Sequence, residues 1–220
     1  MNICKKAILV QTEYRKRKFL DTILNIFNLY IQNGARSSKK VDKLHEFIKD
    51  EIISSLSSEY SIKLEQNVNS CNMLGKKRCD IVLYKNNLLF AIFPVKFIMT
   101  SYNKNKNNYW ENLTGELTQI KWCNKDVHLI PINIIFNKIP ILKGRDKTIS
   151  SFEDITYDKS FKIYEKLTEY NITTTNINYI IDVKHQCNIE ERYNKAPILL
   201  DFNKDTPYQS FYSIISNITQ

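Results

Sequence analysis

The sequence predicts an α/β domain of the α+β kind, with a mixed central β-sheet flanked by helices. Three observations predict it. Two early stretches carry apolar residues at helical spacing. Two short apolar strands, one opened by Asp80 and the other carrying Lys96, meet at an Asn86-Asn87 turn. A later run, Val127 to Phe136, is apolar on both faces, as a strand buried between layers is. This order suits a single layered domain over residues 1–220, with 1–35 as an N-terminal helical appendage.

The first helix is expected from Tyr14 to Gln32, where Phe19, Leu20, Ile23, Leu24, Phe27 and Ile31 make one stripe. Arg15 to Lys18 form a basic run at its start, a solvated face or a phosphate contact. Asn33-Gly34 suits its C-terminal cap. Ser38 is placed to cap a second helix, reaching to about Ser57 with Val41, Leu44, Phe47, Ile48 and Ile52 on one face. At 100° per residue Glu51 falls inside that stripe and Glu46 well away from it. A carboxylate there is costly to bury unless it is paired or bound to a metal.

Tyr60 to Val68 alternates as a strand does. A loop from Asn69 to Lys77 follows, with Gly75 and the basic pair Lys76-Lys77. Then come the Asp80 strand, the turn, and the uncharged run Leu88 to Thr100 that only Lys96 interrupts. Ser101 to Asn108, SYNKNKNN, reads as a basic, amide-rich loop. The helix Trp110–Trp122 buries Trp110, Leu113, Leu117 and Ile120. Pro131 strains the Val127–Phe136 strand, because proline removes a ladder donor. Pro140 and Gly144 mark a loop, Asp158 caps a helix to about Tyr170, and Ile177 to Val183 is another strand. Thr206-Pro207-Tyr208-Gln209 reads as a capping box opening a last helix.

Composition narrows the function. Of 220 residues, 43% are hydrophobic and 25% charged, which is a globular composition. Lys plus Arg exceeds Asp plus Glu by 32 − 23, a net +9 that favours a polyanionic partner. The five cysteines have no zinc spacing and are expected as reduced thiols of a cytoplasmic protein. No apolar stretch reaches the roughly 20 residues a bilayer needs, and the first residues lack a signal-peptide core. His45, His128 and His185 read as isolated, and no Ser/His/Asp, Cys/His or Gly-rich phosphate arrangement occurs.

The chemistry lies between Arg78 and Trp122. If Asn86-Asn87-Leu88 is a three-residue connection, Asp80 lies opposite position 94, and 80, 94 and 96 share one face. Asp80 and Lys96 then project together, as a rim ion pair or as parts of a site. On an ideal helix Glu116 borders the buried stripe and Glu111 lies nearly opposite it, whereas Glu111 is nearer Lys96 in sequence.

This pattern resembles the PD-(D/E)XK nuclease superfamily, the fold of many type II restriction endonucleases. The resemblance covers roughly Val41 to Phe136, and VKFIMTSYNKNKNNYWENLTGE is similar to restriction-enzyme sequences at that position. Asp80 matches the first carboxylate and Lys96 the lysine. Pro94 fills the second acidic slot and has no ligand atom. In some members that carboxylate sits on the following helix, a role open to Glu116 or Glu111. The resemblance implies a restriction endonuclease-like core and an Mg²⁺-dependent endodeoxyribonuclease acting on double-stranded DNA. It implies metal ligands from Asp80, Glu116 or Glu111 and the Val95 carbonyl, Glu51 reaching a second metal, and Lys96 on the attacking water. Asn103, Lys104, Asn105, Lys106, Lys76 and Lys77 are expected at DNA, and a palindromic site implies a homodimer. The alternative is a catalytically inactive DNA-binding protein that keeps the nuclease fold; an RNA or repair nuclease is a third reading.

Overall fold

A computed structural model describes residues 3–33, 39–54, 56–144 and 146–219. Gly34 and Ser38, expected at helix caps, lie outside them. The chain is a mixed α+β fold in which helices flank several sheets. Its helices are α1 (Ile3–Asn33), α2 (Lys39–Ile53), α3 (Tyr102–Cys123), α4 (Tyr157–Ser160), α5 (Glu165–Glu169) and α6 (Phe211–Thr219). Its strands are β1 (Tyr60–Asn69), β2 (Lys76–Lys85), β3 (Leu88–Phe93), β4 (Val95–Ile98), β5 (His128–Leu129), β6 (Ile132–Phe136), β7 (Lys138–Lys143), β8 (Thr148–Asp154), β9 (Ile177–Lys184) and β10 (Ile198–Phe202).

Two prolines organise the sheets. Pro94 divides β3 from β4, and Pro131 lies between β5 and β6, since neither proline can donate to a ladder. One sheet runs β1-β2-β3-β5 and the other β10-β9-β6-β4. The pairing nevertheless keeps one register across the break. Ala91 faces His128, and four residues further along both strands Val95 faces Ile132. Ile130 N–H donates to Ile92 O at 2.9 Å and Ile132 N–H to Pro94 O at 2.8 Å, so the seam is bridged. The difficulty expected at Pro131 is thus met by splitting the run into two short strands. β6 is buried at all five positions, as its apolar faces require.

The N-terminal helix is longer than its stripe predicted and is no appendage in its packing. Phe19, Ile23, Ile26 and Phe27 are almost wholly buried. Phe19 meets Phe47 of α2, Tyr179 of β9, Phe202 of β10 and Phe211 of α6, and Phe27 meets Phe136 of β6. These large rings join the helix to one shared core.

Other expectations are corrected. The segment around Pro140 and Gly144 is the β7–β8 hairpin, with Gly144 at φ 70° in its turn. The Asp158 helix breaks into α4, a 3₁₀ turn at Lys162–Tyr164, and α5, with Thr156 rather than Asp158 at its N-cap. Thr206 does not open the last helix. Its hydroxyl accepts the Ile180 N–H at 2.9 Å inside the core, and the helix begins at Phe211. Cys71 and Cys123 form a disulfide rather than two thiols, while Cys79 and Cys187 are free and buried. No helix among the described residues is long and apolar enough to cross a membrane.

Candidate metal and phosphate site

The hairpin places Asp80 by a route the sequence did not show. Lys85 pairs with Leu88, so the turn has two residues, Asn86 and Asn87, at φ 50° and 64°. Both angles are left-handed, which asparagine tolerates in such turns. A bulge between Leu83 and Tyr84 then shifts the register, and Ile81 pairs with Phe93. Asp80 therefore stands opposite Pro94, as a three-residue connection would also have placed it.

The β2–β3 ladder ends at that pair. Beyond it, the Val95 N–H donates to Asp80 Oδ2 at 2.7 Å. Burial raises the Asp80 carboxyl above its ordinary range, and the Val95 amide opposes that rise. Lys96 is exposed, with its Nζ 5.0 Å from the centre of the Tyr109 ring. The next strand continues the polar row: Lys96 pairs with Asn133, Asn133 with Asn178, and Asn133 Nδ2 donates to Asn178 Oδ1 at 2.9 Å.

Asp80, Lys96, Glu116, Lys77, Asn133 and Tyr109 line one cavity of about 240 Å³. Of the two predicted helix carboxylates, Glu116 is the one that shares this cavity with Asp80, and it is held by Lys77 Nζ at 3.0 Å. Glu111 is exposed and does not line this cavity. Val95 lines it. Glu51 is buried as its stripe position required, 5% exposed, but its partners are Arg15 at 3.2 Å and Lys18 at 2.9 Å. These two cations satisfy it at the α1–α2 junction, and it does not line the cavity that holds Asp80. The basic run of α1 is partly consumed there, and Lys16 pairs with Asp201 at 2.6 Å.

The stretch Ser101–Asn108 is not a loop but the start of α3. Ser101 adopts a left-handed conformation and makes no side-chain cap bond. The cap comes from β8: the buried Glu153 accepts the Tyr102 N–H and, at 3.0 Å, the Asn103 N–H. Asn103, Lys104 and Lys106 are exposed on the first turns, and Asn105 donates to Ser101 O at 3.0 Å. Tyr102 is buried with its hydroxyl on Ser160 O at 3.1 Å, so it is not a surface for stacking. Lys76 and Lys77 begin β2, on the cavity side in the case of Lys77.

Sequence reasoning missed two residues. The pairs Leu64–Ile81 and Gln66–Cys79 leave Glu65 opposite Asp80, and Glu65 has φ 51° in mid-strand. His45, read as isolated, lies 1% exposed on α2 with Nδ1 3.0 Å from Glu65 Oε1. One ligand atom each from His45, Glu65 and Asp80 lie within 4.8 Å of one another. His45 sits three residues before Ile48 and four after Val41, inside the apolar stripe, and that was the available signal. Two carboxylates and an imidazole are a donor set that fits a divalent cation. His45 Nε2 is also buried with no hydrogen-bond partner among the described residues. Compared with known proteins, the chain matches no family model, no curated protein and no solved structure.

Proposed function

We propose that this protein is a metal-dependent endodeoxyribonuclease with a restriction endonuclease-like core, hydrolysing phosphodiester bonds in double-stranded DNA. One observation carries the reading: Asp80, Lys96 and Glu116, from three different elements, line a single cavity together with Lys77 and the exposed Arg78. The antiparallel β1–β2–β3 unit, the α3 crossover and the parallel pairing of β4 with β6 support the nuclease-like core.

Asp80 is the residue that would anchor the cation, Mg²⁺ in the simplest case, with Glu116 and Val95 lining the same cavity. A bound divalent cation supplies Lewis acidity at the scissile phosphate and lowers the pKa of a coordinated water. The chain's own groups do the rest. Lys96 carries its ammonium beside Asp80, where it orients the attacking water and offsets charge growing on the phosphate. Tyr109 offers its ring face to that ammonium. Lys77, paired with Glu116, fixes that carboxylate and adds positive potential at the cavity mouth. Lys76, Lys104 and Lys106 meet backbone phosphates, and Asn103 and Asn105 supply amides beside them. The net charge of +9 attracts the duplex without specifying its sequence. A palindromic site would be read by a homodimer in the cytoplasm.

The test is digestion of plasmid DNA with Mg²⁺ or Mn²⁺ by the full chain, Asp80→Ala and Lys96→Ala. Discrete, metal-dependent fragments that vanish in both variants are expected. Robust cutting by Asp80→Ala overturns the assignment. Pro94, in place of an acid, favours one second reading, a protein that keeps the fold and binds DNA without cutting it. Tight duplex binding with no cleavage under any divalent ion selects that reading.

A further inference from the structure

We propose that His45, Glu65 and Asp80 form a divalent-metal site that takes a first-row transition ion, Mn²⁺ in preference to Mg²⁺. The inference deepens the nuclease reading, on which its catalytic meaning rests, but metal binding itself can be tested without DNA.

Three elements converge on the site. Helix α2 brings the imidazole, β1 brings Glu65 and β2 brings Asp80, and their ligand atoms lie within 4.8 Å of one another. Donors about 2.0–2.2 Å from a shared cation are separated by no more than about 4.4 Å, so a small contraction closes the set. The backbone is shaped for the purpose. A left-handed residue in mid-strand is disfavoured for any side chain but glycine, and Glu65 adopts it at φ 51° directly opposite Asp80. Each carboxylate also has a second partner. Arg78 Nε forms an ion pair with Glu65 Oε2 at 2.9 Å, and the Val95 N–H donates to Asp80 Oδ2 at 2.7 Å. Such outer partners orient metal ligands.

The imidazole decides the metal class. Mg²⁺ prefers an all-oxygen shell, whereas imidazole suits first-row transition ions and carboxylates suit Mn²⁺ as well as Mg²⁺. An imidazole that is 1% exposed, with one nitrogen against Glu65 and the other unpartnered among the described residues, is not accounted for by packing alone. Its neighbours on α2, Leu44 and Ile48, are apolar and buried, so the polar ring stands in a position where an aliphatic side chain would pack. Glu116 is not one of the three, and it lines the cavity with Asp80 and Lys96, paired with Lys77.

The experiment titrates Mn²⁺ into the metal-stripped full chain, reading free Mn²⁺ by electron paramagnetic resonance, with Mg²⁺ as competitor. Saturable Mn²⁺ binding, with Mg²⁺ at least roughly tenfold weaker, is expected, and Glu65→Gln should weaken Mn²⁺ by roughly 10- to 100-fold. His45→Asn should do the same. Because His45 is in the core, Glu65→Gln, on a partly exposed strand position, keeps the test decisive if that variant misfolds. Unchanged Mn²⁺ affinity in Glu65→Gln, equal affinity for Mg²⁺, or no binding by the wild type overturns the site. Plasmid digestion on the same samples separates the two claims. Mn²⁺ bound through Glu65 without any DNA cutting upholds the site and removes the nuclease. Mg²⁺-supported cutting that survives Glu65→Gln does the reverse.

Discussion

Glu153 should be worth more to this fold than any surface charge. Helix α3 carries Tyr109 and Glu116 into the site, has no acidic residue in its first turn, and receives no cap from Ser101. Its first two N–H groups rest on one buried carboxylate, 6% exposed, from β8. Hydrogen bonds to a charged acceptor contribute about 1.5–3 kcal/mol each, and a negative charge at a helix N-terminus adds about 0.3–1 kcal/mol. Burying the carboxylate costs part of this back. Glu153→Ala should therefore destabilise by about 3 kcal/mol, lowering Tm by about 6–12 °C for a chain of this size. Glu153→Gln keeps one oxygen acceptor and should cost about half as much. The assay is urea and thermal unfolding followed by tryptophan fluorescence, which suits the question because both tryptophans, Trp110 and Trp122, lie on α3. A Glu153→Ala protein melting within 2 °C of wild type would refute the cap.

Glu51→Ala should cost about 2 kcal/mol, below the range for a fully buried pair because Lys18 is half exposed. It should leave Mn²⁺ affinity unchanged, which calorimetry checks. Reducing Cys71–Cys123 should lower stability in dithiothreitol by at most about 4 kcal/mol, the loop-entropy value for a separation of 52 residues. The loss should fall short of that ceiling, because Cys71 N–H to Gln119 O and Asn124 to Asn69 O hold the same junction without sulfur. Burial between Phe152 and Tyr193 lowers the His185 pKa below its ordinary 6.5. The unfolded ring takes up its proton first, so stability should fall as pH drops below about 6.5 and level off once the folded ring titrates. Urea midpoints from pH 7.5 to 5 measure this, and His185→Gln should flatten the slope.

What was legible in the sequence is what local pattern determines. The α2 stripe placed Glu51 indoors, strand parity put Asp80, Pro94 and Lys96 on one row, and Val127–Phe136 was recognisably a buried run. What was not legible depends on distant partners. SYNKNKNN looks like a loop because nothing within it caps a helix; the cap lies some fifty residues on, at Glu153. Cys71 and Cys123 look unrelated until the β1–β2 turn meets the end of α3. Thr206 and Pro207 carry the local grammar of a helix start, but a buried backbone N–H on β9 takes the hydroxyl first. Glu65 was assigned to a regular strand because no residue type announces a left-handed kink. His45 was overlooked because a histidine in an apolar stripe shows its meaning only when the facing strands are known.

The bond from Val95 to Asp80 makes the two ends of that carboxylate unlike each other. Proline at position 94 ends the β2–β3 ladder one residue early, so the next amide has no strand carbonyl opposite it and binds the carboxylate instead. One oxygen of Asp80 is thereby committed to the backbone at 2.7 Å. That oxygen keeps a second lone pair but shares its charge with the Val95 amide, so the two oxygens of Asp80 are no longer equivalent, and Oδ1 is the more basic of them. The residue that took an acid out of the row thus also made the surviving acid lopsided.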